Sequence, residues 1–332
     1  MIPPWTFPTT VVMVDDDAGF LASSKDHLSA SFCLETYVDA GQALERLTHF
    51  DFSGFEVTLS PSHHLEHADA DYASVLLQFD TRRLIAMASN PDRFRVPSVA
   101  VIDFEMPELN GFELCRRLTG LPSRRILLTG KATEALAVKA FNEGLIDCYI
   151  SKHSADYPVV LSATIQRLQK VYFEKMSAHL NLALAPRLRF LNDPGFLSQF
   201  EQLVRSRNIV EHYVLTVPPG LFLRSATGEA WYLLAYDNEL VTSHCEIIQD
   251  VPQAAELGGF LVGRSAIAWF PTPTGVFDLK FLSNWCNYVW PASQWGEQEI
   301  WYCSIVPAQL YAAEAQLRSN SYANFQRFSP SD

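Results

Sequence analysis

Hydrophobic residues in the first half of the chain come in short unbroken runs, and each run ends in polar groups. Residues 11–14 run into Asp15, Asp16 and Asp17, and residues 99–102 run into Asp103. RILLTGKA carries an apolar run at 126–128 into Thr129 and Gly130, and LIDCYISKH ends at Lys152. Such runs suit parallel strands covered on both faces. Helical spacing over 18–29, 111–118 and 133–142 separates them. The alternation predicts an α/β doubly wound, flavodoxin-like sheet. Ligands bind at the carboxyl ends of strands in such sheets, which is where all these polar groups fall.

A second helix is expected over 41–47 and a third strand from about 97, so an insertion of about 49–96 parts two elements that short loops normally join. Within it, Leu84, Met87 and Ala88 share one helical face, with Asp80 as a cap. His63, His64, His67, Asp69 and Asp71 lie in SPSHHLEHADADY. They read as a solvated polar loop, since no helical frame points them at one centre. Leaving the sheet between helix and strand, the insertion should lie away from the carboxyl edge and serve contact or dimerisation.

Beyond Lys152, ADYPVVLSATIQRLQKVYFEKMSAHL reads as one long helix. Leu161, Ile165, Leu168 and Tyr172 form a short coiled-coil-like seam. Packing on the N-terminal domain accounts for its first half, and its second half calls for the C-terminal domain or a second copy of the chain. The expected divisions are 9–157, a linker of 158–186 and a C-terminal domain of 187–332.

Every tryptophan but Trp5 lies in that last part. A helix is predicted over 194–206, and HYVLTV, LFLRS, AWYLLAY, SAIAWF, GVFDLKF and EIWYCSIV are strand-like aromatic and β-branched runs. ATGE marks a hairpin turn. An α+β domain with an antiparallel sheet follows. It shows no helix-turn-helix pattern, basic stripe, diguanylate cyclase, phosphodiesterase, ATPase or methylesterase signature. His212, Asp237, His244 and Cys245 read as ordinary structural residues there.

Composition narrows the picture. Of 332 residues 48% are hydrophobic, the net charge is −12 and the pI is near 5.2. This argues against a nucleic-acid or anionic-membrane binder. Six cysteines without CxxC spacing read as reduced thiols of a cytoplasmic protein. MIPPWTFPTT lacks the basic start and apolar run of a signal peptide, and no apolar stretch is long enough to span a membrane.

The strand-end residues carry the chemistry. Three carboxylates at one edge repel unless a cation joins them. Oxygen-only ligands suit a hard ion such as Mg²⁺. A carboxylate beside Mg²⁺ can attack a phosphoryl group and form an aspartyl-phosphate. Lys152 would neutralise phosphoryl oxygens, the Thr129 hydroxyl would hydrogen-bond one, and Gly130 would leave the approach open. Asp17 reads as the N-cap of the first helix.

On these residues, 9–157 resembles the receiver domain of two-component response regulators. The resemblance makes Asp103 the phosphoacceptor, and Asp15 and Asp16 the metal-binding pair, with the Glu105 backbone carbonyl as a further ligand. It makes Thr129 and Tyr149 the switch pair, and Met106-Pro107 and Gly111 the loop after the phosphoacceptor. It implies Mg²⁺ and a sensor histidine kinase or phosphotransfer protein as partner; the seam of the long helix adds a homodimer, and charge and hydropathy argue for no nucleic acid and no membrane. Glu105 and Lys131 are expected to tune the lifetime of the phosphoryl group. Output by protein contact, without chemistry of its own, is the leading expectation; a switched enzyme or nucleotide binder is the alternative. His153 follows Lys152 where receivers carry a cis proline. A cis bond before a non-proline residue costs roughly 2.5–4 kcal/mol, so this peptide is strained or trans. FLNDPGF and IVEHYVL further resemble a group of bacterial regulators with an unclassified output domain.

Overall fold

The computed structural model describes residues 1–55, 57, 60, 61, 77, 78, 81–129, 134–180, 188–308 and 320–328. The chain forms two compact units. One joins Phe7–Glu56 to Pro91–Met176, and the other joins Met1–Thr6 and Val57–Asn90 to Ser177–Asp332.

In chain order, β1 (Trp5–Thr6) belongs to the second unit. The first unit then contributes β2 (Thr10–Val14), α1 (Ala18–Leu28), β3 (Cys33–Tyr37) and α2 (Ala40–Thr48). The insertion supplies β4 (Ser60–Pro61), β5 (Leu77–Gln78) and α3 (Thr81–Ser89) to the second unit. The first unit resumes with β6 (Pro97–Asp103), α4 (Gly111–Arg117), β7 (Arg124–Thr129), α5 (Glu134–Asn142), β8 (Cys148–Ser151) and α6 (Tyr157–Met176).

Its five strands form a parallel sheet in the order β3-β2-β6-β7-β8. Strand residues alternate between faces, and the core divides accordingly. Val12, Val14, Ala100, Ile102 and Leu127 pack with α2 and α4 on one side. Val11, Met13, Val99, Val101, Ile126 and Leu128 pack with α1 and α6 on the other. This is the expected doubly wound sheet. Asp17 caps α1 by accepting hydrogen bonds from the N–H groups of Gly19 and Phe20, as its position predicts.

The long helix carries the expected seam. Leu161, Ile165 and Leu168 pack in the sheet's core, and Tyr172 and Phe173 in the second half are also buried, with Phe173 meeting Phe7 edge-on at 5.0 Å. All four seam positions, Leu161, Ile165, Leu168 and Tyr172, are buried.

The second unit continues with α7 (Pro194–Ser206), β9 (Ile209–Thr216), β10 (Pro219–Ser225), β11 (Ala230–Tyr236), α8 (Asn238–Gln249), α9 (Ala255–Val262), β12 (Ala266–Ala268), β13 (Val289–Pro291), β14 (Ser293–Trp295), β15 (Trp301–Pro307) and α10 (Tyr322–Phe328). Its antiparallel sheet runs β1-β9-β10-β11-β15-β14, and β12 pairs with β13 alone. Helices α3 and α7 pack on β9. Helices α8 and α9 cover the core around Leu234, Tyr236 and Phe270.

One expectation needs correction here. GVFDLKF is no strand: the Asp278 carboxylate accepts the Lys280 N–H at 3.0 Å, and Leu279–Phe281 closes into a 3₁₀ turn. The insertion was expected to serve contact or dimerisation. Its residues 57–90 fall to the second unit, where Leu84, Met87 and Ala88 are buried, while 49–55 and 91–96 stay with the first. The cap at Asp80 and the cluster of His63, His64, His67, Asp69 and Asp71 lie outside the described residues.

Candidate functional site

Strand β2 delivers Asp15 and Asp16, and β6 ends on Asp103 beside Leu128 of β7. Carboxylate oxygens of all three lie within 4.8 Å of one another; Asp15 and Asp103 are buried and Asp16 is exposed. Parallel pairing of β2 with β6 sets this convergence, because it brings the ends of both strands to one edge.

The two buried carboxylates are held alike. Asp15 Oδ1 accepts the Asp17 N–H at 3.0 Å, and Asp103 Oδ2 accepts the Glu105 N–H at 3.1 Å. Each of these is an Asx turn to the residue two further on. The remaining oxygens face Lys152. Its Nζ lies 2.5 Å from Asp15 Oδ2 and 3.0 Å from Asp103 Oδ1. Both carboxylates are thus oriented before any ligand arrives.

Burial raises the pKa of Asp103, and the Asp15 charge adds to that while Lys152 opposes it. Burial also works against the Lys152 ammonium, but its hydrogen bonds to Asp15 and Asp103 outweigh this and hold its pKa above the ordinary lysine value. The repulsion expected among the carboxylates in the absence of a metal is therefore partly relieved by Lys152. The Lys152–His153 peptide is trans, and the lysine reaches both carboxylates from it.

Gly111 permits the approach of α4. A Cβ there would stand 2.0 Å from the Asp103 carbonyl oxygen, and its N–H donates to Phe104 O at 3.1 Å.

Of the other expected residues, Thr129 ends β7 opposite Ser151 of β8. Tyr149 is exposed on β8, and the Glu105 side chain is exposed. Gly130 and Lys131 lie outside the described residues. Carboxylate-only donors around a half-buried lysine fit Mg²⁺, a hard ion that takes one or two carboxylates together with waters and phosphate oxygens.

Two groupings escaped sequence reading. Phe20, on the first turn of α1, places its ring 4.3 Å from Lys152 Nζ. In the second unit, the buried Asp193 carboxylate accepts four backbone N–H groups, those of Phe196, Glu297, Gln298 and Glu299. NDPG gives a helix-cap signal for Phe196 alone, because the other donors are about a hundred residues away. His212, Asp237, His244 and Cys245 have structural settings. Asp237 caps α8, Cys245 Sγ lies 3.6 Å from Arg264 Nη1, and His244 is buried on α8. His212 bridges Thr6 Oγ1 and Pro3 O at 2.9 and 2.8 Å.

The parallel unit with this acidic edge has the architecture of a response-regulator receiver domain, and the antiparallel unit is an α+β domain. Among solved structures, the fold matches the response regulator LqsR of Legionella pneumophila. The TM-score is 0.78 at 24% identity, covering 99% of this chain and 97% of that one. A likeness to the Legionella quorum-sensing regulator, weaker than the receiver resemblance, is also legible in the sequence. An uncharacterised response regulatory protein of Vibrio cholerae is 29% identical over 147 residues, 44% of this chain and 47% of that protein. The virulence regulator BvgA of Bordetella pertussis is 31% identical over 83 residues, 24% of this chain and 39% of its own length. The chain thus spans less than half the length of these curated relatives. No protein-family model matches it. Among the described residues, no helix is long and apolar enough to cross a membrane.

Proposed function

We propose that the protein is a two-component response regulator that takes a phosphoryl group onto Asp103 from a sensor histidine kinase or phosphotransfer protein. The observation that carries this reading is the convergence of Asp15, Asp16 and Asp103 within 4.8 Å beside Lys152. A carboxylate oxygen of Asp103 attacks phosphorus, an acyl-phosphate bond forms, and the bond from phosphorus to the donor atom breaks with its electron pair leaving on the donor. Asp15, Asp16, Asp103 and the Glu105 carbonyl would hold Mg²⁺, which supplies charge compensation for the phosphoryl oxygens. Lys152 supports the same charge from the protein side.

Thr129 and Tyr149 would then form the switch, and Glu105 with Lys131 would set how long the phosphoryl group survives. The antiparallel unit would act by protein contact, as a homodimer, without DNA binding or chemistry of its own. A switch of this kind shifts an existing equilibrium by what the phosphoryl group contacts in each state.

Intact-mass spectrometry after treatment with acetyl phosphate and Mg²⁺ tests the central claim. Wild type should gain one phosphoryl mass and Asp103→Asn none. A phosphoryl adduct on Asp103→Asn, or an unlabelled wild type, refutes the assignment.

A further inference from the structure

The geometry points to Phe20 as a positioning residue for Lys152: its ring caps the ammonium and holds it over the Asp15–Asp103 pair. This inference rests on the proposed phosphoryl transfer to Asp103.

Lys152 lies on a turn beyond the end of β8, so its side chain must span from that turn to the carboxylates. Two sides of the ammonium are occupied by Asp15 Oδ2 and Asp103 Oδ1. The Phe20 ring takes a third, 4.3 Å from Nζ to its centroid. A cation over an aromatic face is attracted by the ring quadrupole, more strongly where water is partly excluded. Here only 18% of the lysine side chain is exposed.

The ring is itself fixed. Its backbone N–H donates to Asp17 Oδ1 at 3.1 Å in the cap of α1. Its other neighbour is Tyr157, the first residue of α6, stacked at 5.7 Å between centroids with 29° between planes. Phe20 therefore links the capped start of α1, the start of α6 and the site lysine. Phe20 also packs against the core formed with α1 and α6, so a purely structural role is the competing account. The two differ in whether Phe20 acts through Lys152.

The first test is made on metal-free full-length protein, by trace acetylation with acetic anhydride and peptide mass spectrometry of Lys152. Phe20→Leu, which keeps bulk but loses the aromatic face, should acetylate Lys152 roughly threefold to tenfold faster, and Phe20→Tyr should match wild type. The second test follows the rate of labelling by acetyl phosphate and Mg²⁺. Phe20→Leu should slow it by a similar factor, Phe20→Tyr should restore it, and Phe20→Leu should add nothing in a Lys152→Met background.

Acetylation of Lys152 at the wild-type rate in Phe20→Leu overturns the inference. So does slowing by Phe20→Leu that persists undiminished in the Lys152→Met background, because that is the signature of a structural role. If wild type takes no label while the acetylation rates differ as expected, the phosphoryl-transfer reading fails and Phe20 is left only with its hold on the lysine. That outcome overturns the catalytic meaning given to it here.

Discussion

The carbonyl oxygen of Asp103 lies 2.0 Å from where a Cβ on Gly111 would stand, with Phe104 Cα only 3.0 Å away. The obstructing atoms are backbone, so neither neighbour can yield by rotating a side chain. Gly111→Ala must push α4 away from the end of β6 and carry Asp103 with it. Overpacking of this kind costs roughly 1–3 kcal/mol. Chemical denaturation should report that loss, and acetyl phosphate labelling of Asp103 should slow in the folded fraction. Wild-type stability together with wild-type labelling would show that the loop absorbs the methyl group.

Removing the ammonium from the acidic edge should make the protein depend more heavily on added cation. In Lys152→Met the buried Asp15 and Asp103 carboxylates face each other with no protein charge between them. The metal-free melting temperature should drop below that of wild type. A cation bound by the folded state alone stabilises it by mass action, so the rise in melting temperature on adding Mg²⁺ should be larger in the variant. An equal or smaller rise would mean that the carboxylates are not a shared cation site.

Most of this edge was legible in the sequence, and the reason is local. Asp15, Asp103 and Lys152 each close an apolar strand run, so periodicity alone places them at one end of a parallel sheet. Phe20 was not legible, since its meeting with Lys152 depends on how α1 sits against the turn after β8. Strand β1 has two residues and β14 three, too few for alternation to register. Residues 275–281 have the composition of a strand, but the Asp278 side chain offers the backbone a local turn instead. The assignment of residues 57–90 to the C-terminal unit was hidden for a similar reason. Helix α3 showed an apolar face, and no pattern states which surface will cover it.

Asp193 offers a test of the second unit by pH. Its Oδ1 accepts N–H groups of Phe196 and Glu297, both at 2.9 Å, and its Oδ2 accepts those of Gln298 and Glu299 at 2.9 and 3.2 Å. Burial alone would raise its pKa, but these four donors overcome that and hold it below the ordinary carboxylate value. A carboxyl with a lowered folded-state pKa contributes stability that is present above its unfolded value, about 3.9. That contribution is lost as pH falls through the folded value. Asp193→Asn sets an NH₂ group against two backbone donors whichever way it flips. At neutral pH it should lose on the order of 3 kcal/mol, since charge-assisted hydrogen bonds are worth roughly 1.5–3 kcal/mol each. The gap between variant and wild type should narrow below pH 4. A gap that stays constant with pH would remove the carboxylate charge from the explanation.

Arg224 ties helix α3 of the insertion into the C-terminal unit. It is buried on β10, directly across from buried Glu211 on β9, with Nη1 3.9 Å from Glu211 Oε2. Tyr213 donates its hydroxyl to the same Glu211 oxygen at 2.8 Å. The guanidinium also reaches two other segments: Nη1 donates to Ala88 O at 2.9 Å near the end of α3, and Nη2 donates to Asn320 O at 2.6 Å. Asn320 in turn donates from Nδ2 to Ser89 O at 2.7 Å. A cation beside the last carbonyls of α3 is also favoured by the helix dipole. Arg224→Met leaves Glu211 buried without its cross-strand cation and frees two carbonyls, a change that should cost about 3–5 kcal/mol. The loss should be uneven. Amide hydrogen exchange across 81–89 and 320–328 should accelerate well before that of β10 and β11, because those two segments are held by the lost fork while the strands keep their ladder. Arg224→Lys retains the charge without the fork and should protect one of the two segments at most. Uniform acceleration over the whole unit, or unchanged protection of 81–89, would show that α3 is held by its apolar face alone.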